Sequence, residues 1–272
     1  MTAAGPNPGG GGRPGGRLAA ELAVAALVAE RAGRMLLDAQ RRGAFTVGAK
    51  AGGEVVTTAD RGADLIVRDG IAAAFPDDAI FSEETPDDST RLAARRVWIV
   101  DPLDATSAFV AGDDGWSVSV GLAVDGRAAV GAVASPAGFG LVAGMAAGPV
   151  TRNGAAAAVV APASPPRLTA SRRDLDRLPP LPAAPRALPG MAGKLARVAA
   201  GLDDGVVTAV RRKEWGVCAG VALVTGAGGR VTLWDGTPVR FNRRQPRQPL
   251  GIVAAGPGLH ALLIRAVAGA AQ

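Results

Sequence analysis

Apolar positions recur near helical spacing over residues 18–42. Leu18, Leu22, Ala25, Ala29, Leu36 and Leu37 share a face, while Arg31, Arg34 and Asp38 lie on others. The pattern predicts an amphipathic helix, weakened in its middle by Gly33. Residues 48–53 read as a loop and Val55-Val56 as a short strand. Thr57-Thr58-Ala59-Asp60 then opens a second helix that runs to about Phe75 and is stopped by Pro76. Ile80-Phe81 and Val97–Val100 are short apolar runs of the kind that form buried strands. Residues 117–124 and 128–134 alternate as a hairpin through the turn Asp125-Gly126, and 140–146 is a further strand, with a turn at Asn153-Gly154.

Beyond residue 155 the signal weakens. The stretch 155–190 is rich in Ala and Pro and reads as a connector with one strand near Leu168–Ala170. Helix resumes at Met191–Ala200, followed by a strand over Val206–Val210 and a helix over Glu214–Thr225. Gly226-Ala227-Gly228-Gly229 closes that helix. Strands over 230–234 and 250–254 precede a last helix that Pro257 starts and that ends near Val267. No internal repeat is present. Helices and strands alternate without strict βαβ regularity, which predicts a layered α/β or α+β fold.

Composition narrows the chemistry. The chain has 272 residues, 48% of them hydrophobic but only 4% aromatic, with no Tyr, so the core is built of Ala, Val and Leu. One cysteine, Cys218, and one histidine, His260, exclude an intrachain disulfide and a Cys/His zinc site. Cys218 reads as a core residue and His260, on the last helix, as a surface one. The net charge is +6 and the sequence pI about 10.8. Lysine occurs only at 50, 194 and 213, so the positive charge is almost all Arg. With abundant Ala, Gly and Pro this reads as GC-rich coding rather than a nucleic-acid surface, and no aromatic residues interleave the basic ones. A basic surface still attracts small phosphorylated anions. The longest apolar stretch, Leu18–Ala29, contains Glu21 and is too short to span a bilayer. The first 17 residues, rich in Gly and Pro, read as a disordered tail without the apolar core of a signal peptide. A cytoplasmic location is expected.

Two acidic clusters carry the candidate function. Ser82-Glu83-Glu84 follows Ile80-Phe81, and Asp101-Pro102-Leu103-Asp104-Ala105-Thr106 follows Val97–Val100. Each places carboxylates at the C-terminal end of an expected buried strand. Carboxylates packed together repel unless a cation lies between them, so the pattern calls for a hard, oxygen-ligated metal such as Mg²⁺ and points to phosphate chemistry. Each segment alone also has a structural explanation. Thr57-x-x-Asp60 is a capping box, Glu83-Glu84 could be a solvated loop, Asp101-Pro102 a strand-ending turn and Asp104 an N-cap, while Arg211-Arg212-Lys213 reads as a solvated charge run with contact to an anionic substrate as its alternative.

Taken in order, Val55-Val56-Thr57-Thr58-Ala59-Asp60, Ser82-Glu83-Glu84, Trp98–Thr106 and Glu214-Trp215-Gly216-Val217-Cys218-Ala219-Gly220 resemble the inositol monophosphatase family of Mg²⁺-dependent, lithium-sensitive phosphatases. That family includes the 3'(2'),5'-bisphosphate nucleotidases and is related to fructose-1,6-bisphosphatase. The segment Lys194-Leu195-Ala196 and its helix, with the Ser-Glu-Glu motif, lean toward the nucleotidase branch. The resemblance covers residues 18–268 and implies a layered α/β/α/β/α sandwich. Its metal-binding half would span 18–150 and its substrate-side half 151–268. It also implies two or three Mg²⁺ ions, a small phosphorylated metabolite as substrate, and neither nucleic acid nor membrane as partner. A homodimer is among the assemblies it allows.

By the same resemblance Glu83, Asp101 and the carbonyl of Leu103 hold a first Mg²⁺. Asp101 bridges to a second, shared with Asp104. Asp60 and Thr106 orient and activate the attacking water, with Glu83 beside them. Backbone N–H groups at Ala105 and Thr106 hold the phosphate, and Lys194 and Glu214 are candidate substrate contacts. The carboxylates of Glu83, Asp101 and Asp104 are expected to converge within about 3–6 Å. The chain departs from the family at three places. Gly216 stands where the family has Asp after Trp, Ala105 where it has Gly, and Pro189-Gly190 where it has Gly-Ser. A catalytically impaired member acting by binding is therefore the alternative to an active phosphatase.

Overall fold

A computed structural model describes residues 18–49, 53, 55–87 and 89–268. The expected tail over 1–17 lies outside the described residues. The first half comprises α1 (Ala19–Arg42), β1 (Val47–Ala49), β2 (Val55–Thr57), α2 (Thr58–Ala74), β3 (Ala79–Ser82), β4 (Arg96–Asp104) and α3 (Thr106–Val110). It continues with β5 (Ser117–Val124), β6 (Arg127–Ser135), β7 (Gly140–Met145), β8 (Val150–Arg152) and β9 (Ala155–Ala157). The second half comprises β10 (Leu168–Ala170), α4 (Arg172–Leu175), β11 (Arg186–Ala187), α5 (Ala192–Ala199), β12 (Gly205–Val207), α6 (Cys218–Gly226), β13 (Arg230–Leu233), β14 (Ile252–Ala255) and α7 (Pro257–Ala268).

Strand alternation sets the layers. On β4, Trp98 and Val100 face α1 and α2, packing with Ala25, Ala29, Leu36, Ala63, Val67 and Ile71. Val97 and Ile99 point the other way, toward Leu195, Ala196, Cys218, Ala219 and Leu223 of α5 and α6. Ile252 and Ala254 of β14 meet α5 and α6 from the opposite side, while Val253 and Ala255 pack under Leu259, Leu263 and Val267 of α7. The order is α1/α2, a seven-stranded sheet β3-β4-β5-β6-β7-β8-β9, α5/α6, a five-stranded sheet β11-β10-β12-β14-β13, and α7. This is the expected α/β/α/β/α sandwich. Cys218 is fully buried between the sheets, as expected.

Glycine decides how closely the central helices approach. A Cβ at Gly131 on β6 would fall 2.3 Å from the Ala219 carbonyl oxygen, one at Gly121 on β5 2.7 Å from the Ala219 nitrogen, and one at Gly220 2.4 Å from Leu195 Cβ. Gly33, which weakens α1 by propensity, is buried, and a Cβ added there would lie 3.4 Å from the Pro136 ring.

Four expectations need correction. The helix expected from Glu214 begins at Cys218, because Val217 and Cys218 donate to the Glu214 carbonyl in a tight turn that precedes it. The strand expected over 206–210 ends at Val207, since the N–H groups of Ala209 and Val210 go to the Asp174 carboxylate instead of a neighbouring strand. The connector over 155–190 carries β9, β10, α4 and β11. His260 is buried and paired with the Thr232 hydroxyl at 3.0 Å, and burial lowers its pKa.

The glycine contacts give a stability test. Gly131→Ala drives a methyl into backbone and should destabilise by about 2–3 kcal/mol in urea denaturation. Gly258→Ala in α7, where an added methyl meets nothing within 4 Å, should raise stability by up to about 1 kcal/mol in the same assay.

Candidate active site

Parallel pairing brings the acidic clusters together. β3 runs beside β4 with Ser82 opposite Val100, and the Glu83 N–H continues the ladder to the Val100 carbonyl at 3.2 Å. Glu83 and Asp101 therefore leave the same end of the sheet side by side. Ser82 points away, donating to buried Asp64 at 2.5 Å, and so fixes the end of β3. Between Asp101 and Asp104 the pairing with β5 slips in register, which re-aims Leu103 and Asp104. Ala105 then turns the chain into α3 with φ 73° and ψ 51°. This left-handed conformation costs an L-residue about 1–2 kcal/mol, so the replacement of the family's Gly leaves a strained position at the site.

Asp60 serves two ends. Its Oδ2 accepts the Thr57 N–H at 2.8 Å and the Thr57 hydroxyl at 2.6 Å, closing the capping box of α2. Its Oδ1 accepts the Thr106 hydroxyl at 3.0 Å. The capping role and the Asp60/Thr106 pair coexist in one buried carboxylate. The Thr106 oxygen also lies 3.1 Å from the Leu103 carbonyl.

A cleft of about 890 Å³ opens over this corner, lined by Glu83, Asp101, Leu103, Asp104, Ala105 and Thr106. Asp60 stands immediately behind Thr106 rather than on the wall. The donors are all oxygens, three of them carboxylates and one a backbone carbonyl, and that set fits a hard divalent cation such as Mg²⁺. Burial raises the Asp104 pKa. The Lys194 charge and the Ala192 N–H, 2.7 Å from Oδ2, oppose that rise, and the Glu83 charge adds to it. Among the described residues, however, no three Asp, Glu, His or Cys side chains are gathered closely enough to hold a metal ion. Glu83, Asp101 and Asp104 line one cleft without forming the expected close carboxylate cluster, and the Asp104 carboxylate accepts the Ala192 N–H. Gly216 is buried at the foot of the cleft, where a Cβ would lie 3.7 Å from Asp101 Oδ2 and 3.7 Å from Met191 Cβ. There is room for a side chain and none is present.

Two sequence candidates act from behind the wall. Lys194 is 1% exposed, and its ammonium donates to the carbonyls of Leu188, Pro189 and Gly190 and to the Ser171 hydroxyl. It shapes the 188–190 wall rather than facing the cleft. Burial depresses its pKa to about 8, with Arg212 adding to the effect and Asp104 opposing it. Glu214 is fully buried and accepts the N–H groups of Asn242 at 2.7 Å and Arg243 at 3.0 Å, so it too leaves the cleft.

The wall opposite the carboxylates was not legible in the sequence as a unit. Arg172, Arg173, Arg211, Arg212, Lys213 and Arg247 all line the same cleft. Asp174, with no exposed surface, gathers them. It accepts the N–H groups of Ser171, Ala209 and Val210 and pairs with Arg212. The signals in the chain were the run Arg211-Arg212-Lys213 and Ser171-Arg172-Arg173-Asp174, a capping box whose middle residues are basic.

Two outcomes follow. Ala105→Gly relieves the left-handed strain at a cost in unfolded-state entropy, for a net gain of about 0.5–1 kcal/mol in chemical denaturation. The second concerns Glu214, whose pKa burial raises to about 7. Between the ordinary glutamate value and about 7, the folded protein keeps a proton that the unfolded chain has lost. Its contribution to stability is full below the unfolded value and is lost as pH rises through about 7. Denaturation at pH 5.5 and pH 8 should show the wild type losing on the order of 2 kcal/mol from this group. Glu214→Gln should flatten that part of the curve.

Comparison with known proteins bears on all of this. Residues 18–272 match the inositol monophosphatase family. The chain is 33% identical over 246 residues to a 3'-phosphoadenosine 5'-phosphate phosphatase of Mycobacterium leprae, covering 84% of this chain and 87% of that protein. It is 38% identical over 117 residues to a histidinol-phosphatase of Chlorobaculum parvum, 43% of this chain and 44% of that one. The structure is similar to the Thermotoga maritima IMPase, with a TM-score of 0.76 at 25% identity over 92% of this chain and 98% of that chain.

Proposed function

The chain belongs to the inositol monophosphatase family, and from that premise we propose that it is a Mg²⁺-dependent phosphomonoesterase acting on a small phosphorylated metabolite, with a 3'(2'),5'-bisphosphonucleoside favoured over an inositol phosphate. The observation that carries the reading is the pairing of an acidic rim with the Asp60/Thr106 couple on one side of a cleft whose other side is cationic.

Glu83, Asp101, the Leu103 carbonyl and Asp104 would hold the metal. When bound, Mg²⁺ supplies Lewis-acid polarisation of the phosphate and lowers the pKa of water. The Thr106 hydroxyl donates to Asp60, which leaves its lone pairs to accept from a water and orient it. The proton that the attacking water loses goes to the Thr106 oxygen as the Thr106 hydroxyl proton passes to the Asp60 carboxylate. Ala105 in αL followed by Thr106 at the start of α3 aims successive N–H groups outward, a concavity suited to phosphate oxygens.

The basic wall supports the bisphosphate preference. An inositol monophosphate presents only uncharged hydroxyls at its far end, which give a cationic wall no charge to neutralise. Six cationic side chains suit a second phosphate, and Arg forks match its oxygens in pairs. Gly216 and Ala105 favour a second reading, a member of low activity that acts by binding. Both changes fall on the cleft, one where a carboxylate would stand beside Asp101 and one where the chain turns under the phosphate.

Phosphate release from a panel of adenosine bisphosphate, inositol phosphates, sugar phosphates and histidinol phosphate tests the reading. Release should require Mg²⁺ and be fastest with the bisphosphate. Glu83→Gln and Asp101→Asn should each abolish it, and normal rates in either would move the chemistry elsewhere. Gly216→Asp should raise both Mg²⁺ affinity, by calorimetry, and turnover by about tenfold or more. No turnover in the wild type, in Gly216→Asp or in Ala105→Gly with Gly216→Asp, all folded, would favour the binding reading.

A further inference from the structure

The cleft's two walls come from different halves of the chain, and a buried circuit ties them together. Glu214 lies between Lys213 and Trp215, both of which line the cleft. Its carboxylate holds the backbone of Asn242 and Arg243. The Asn242 side chain accepts from Arg91 Nη1 at 2.8 Å and donates to the carbonyls of Arg91 at 2.8 Å and Ala94 at 3.3 Å. Arg91 is 3% exposed, is paired with Asp87 and also donates to the Arg243 carbonyl. Its guanidinium stacks 4.0 Å above Phe81, two residues before Glu83. Phe81 in turn meets Trp215 edge-on at 5.3 Å. The circuit closes: the Glu83 strand, Phe81, Trp215, Glu214, Asn242, Arg91 and back to Phe81. Arg91, Asn242 and Glu214 do not line the cleft.

We infer that Asn242, clamped between Arg91 and Glu214, is a positioning residue that fixes the separation of the acidic rim and the basic wall, and thereby the discrimination between substrates with two phosphates and those with one. The inference rests on the proposed function for its substrates. A monophosphate engages the acidic rim alone and is indifferent to the gap. A bisphosphate grips both walls, and a misplacement of about 1 Å costs a two-point ligand far more than a one-point ligand. Fusing two requirements into one polar joint also explains why an Asn stands at 242. The residue has φ 57°, a conformation Asn tolerates, and it offers both an acceptor and a donor there.

Asn242→Gly cuts the joint without backbone strain and leaves the N–H that Glu214 accepts. Asn242→Asp keeps the acceptor for Arg91. With the full chain and Mg²⁺ at pH 8, KM for adenosine 3',5'-bisphosphate should rise about tenfold in Asn242→Gly. Its kcat and the KM for adenosine 3'-monophosphate should stay within about twofold, and Asn242→Asp should recover most of the loss. Calorimetric binding of the two nucleotides gives the same comparison without turnover, so an inactive wild type sinks the proposed function and not this inference. An Asn242→Gly protein that weakens both nucleotides equally, or neither, by rate or by binding, overturns it.

Discussion

The cleft depends on buried carboxylates that accept backbone N–H and side-chain hydroxyl groups and so tie one segment of the chain to another. Asp60 holds Thr57 and Thr106, Asp104 holds Ala192, Asp174 holds 171, 209 and 210, and Glu214 holds 242 and 243. Asp204 does the same for Ala163 and Arg167. Burying a carboxylate costs several kcal/mol, and hydrogen bonds to charged groups return about 1.5–3 kcal/mol each. The arrangement is stable only where several donors converge, so each loop is held in one place. A chain poor in aromatics and rich in Ala has little bulk with which to pin loops by packing, and it uses acids instead.

The layered fold was legible because its strongest signals are local. The helical stripe of residues 18–42, the Thr57–Asp60 start of α2 and the Asp125-Gly126 turn each specify their element within a few residues. The acidic rim was legible for the same reason, since both clusters end adjacent parallel strands. The positions that misled were those whose side chains are claimed by backbone or hydroxyl partners that periodicity does not reveal. Glu214 looks like the first residue of a helix until the loop at 242–243 claims its carboxylate. Lys194 looks like an anion contact until three carbonyls at 188–190 surround its ammonium. The partners of Glu214 and of His260, which pairs with Thr232, lie at least 28 residues away, beyond any local window. The carbonyls around Lys194 are near in sequence and depend on how the 188–190 turn folds back on α5.

Composition was read as coding bias, and the cleft adds to that reading. The net charge of +6 is not spread evenly over function. Several surface arginines form exposed pairs such as Arg95 with Asp125 and Arg42 with Asp38, of small energetic weight. Those around the cleft are aligned on one wall by Asp174, where the field of a low-dielectric cavity concentrates their effect. The same residue type serves as inert surface and as recognition element, and only the location of an acidic anchor distinguishes the two.

The glycine seams beneath the central helices carry a mechanical consequence. At Gly131 and Gly121 the backbone of α6 rests on the backbone of β6 and β5, and Gly220 seats α6 against Leu195. Interfaces that slide do so over long side chains that can change rotamer as one layer passes the next. Here the two surfaces are main chain, with no such bearing between them, so there is no shear plane between α6 and the seven-stranded sheet. That sheet and the α5/α6 layer move as one body. Traffic in and out of the cleft falls to its rim, where β3 and β11 run out into turns beside it.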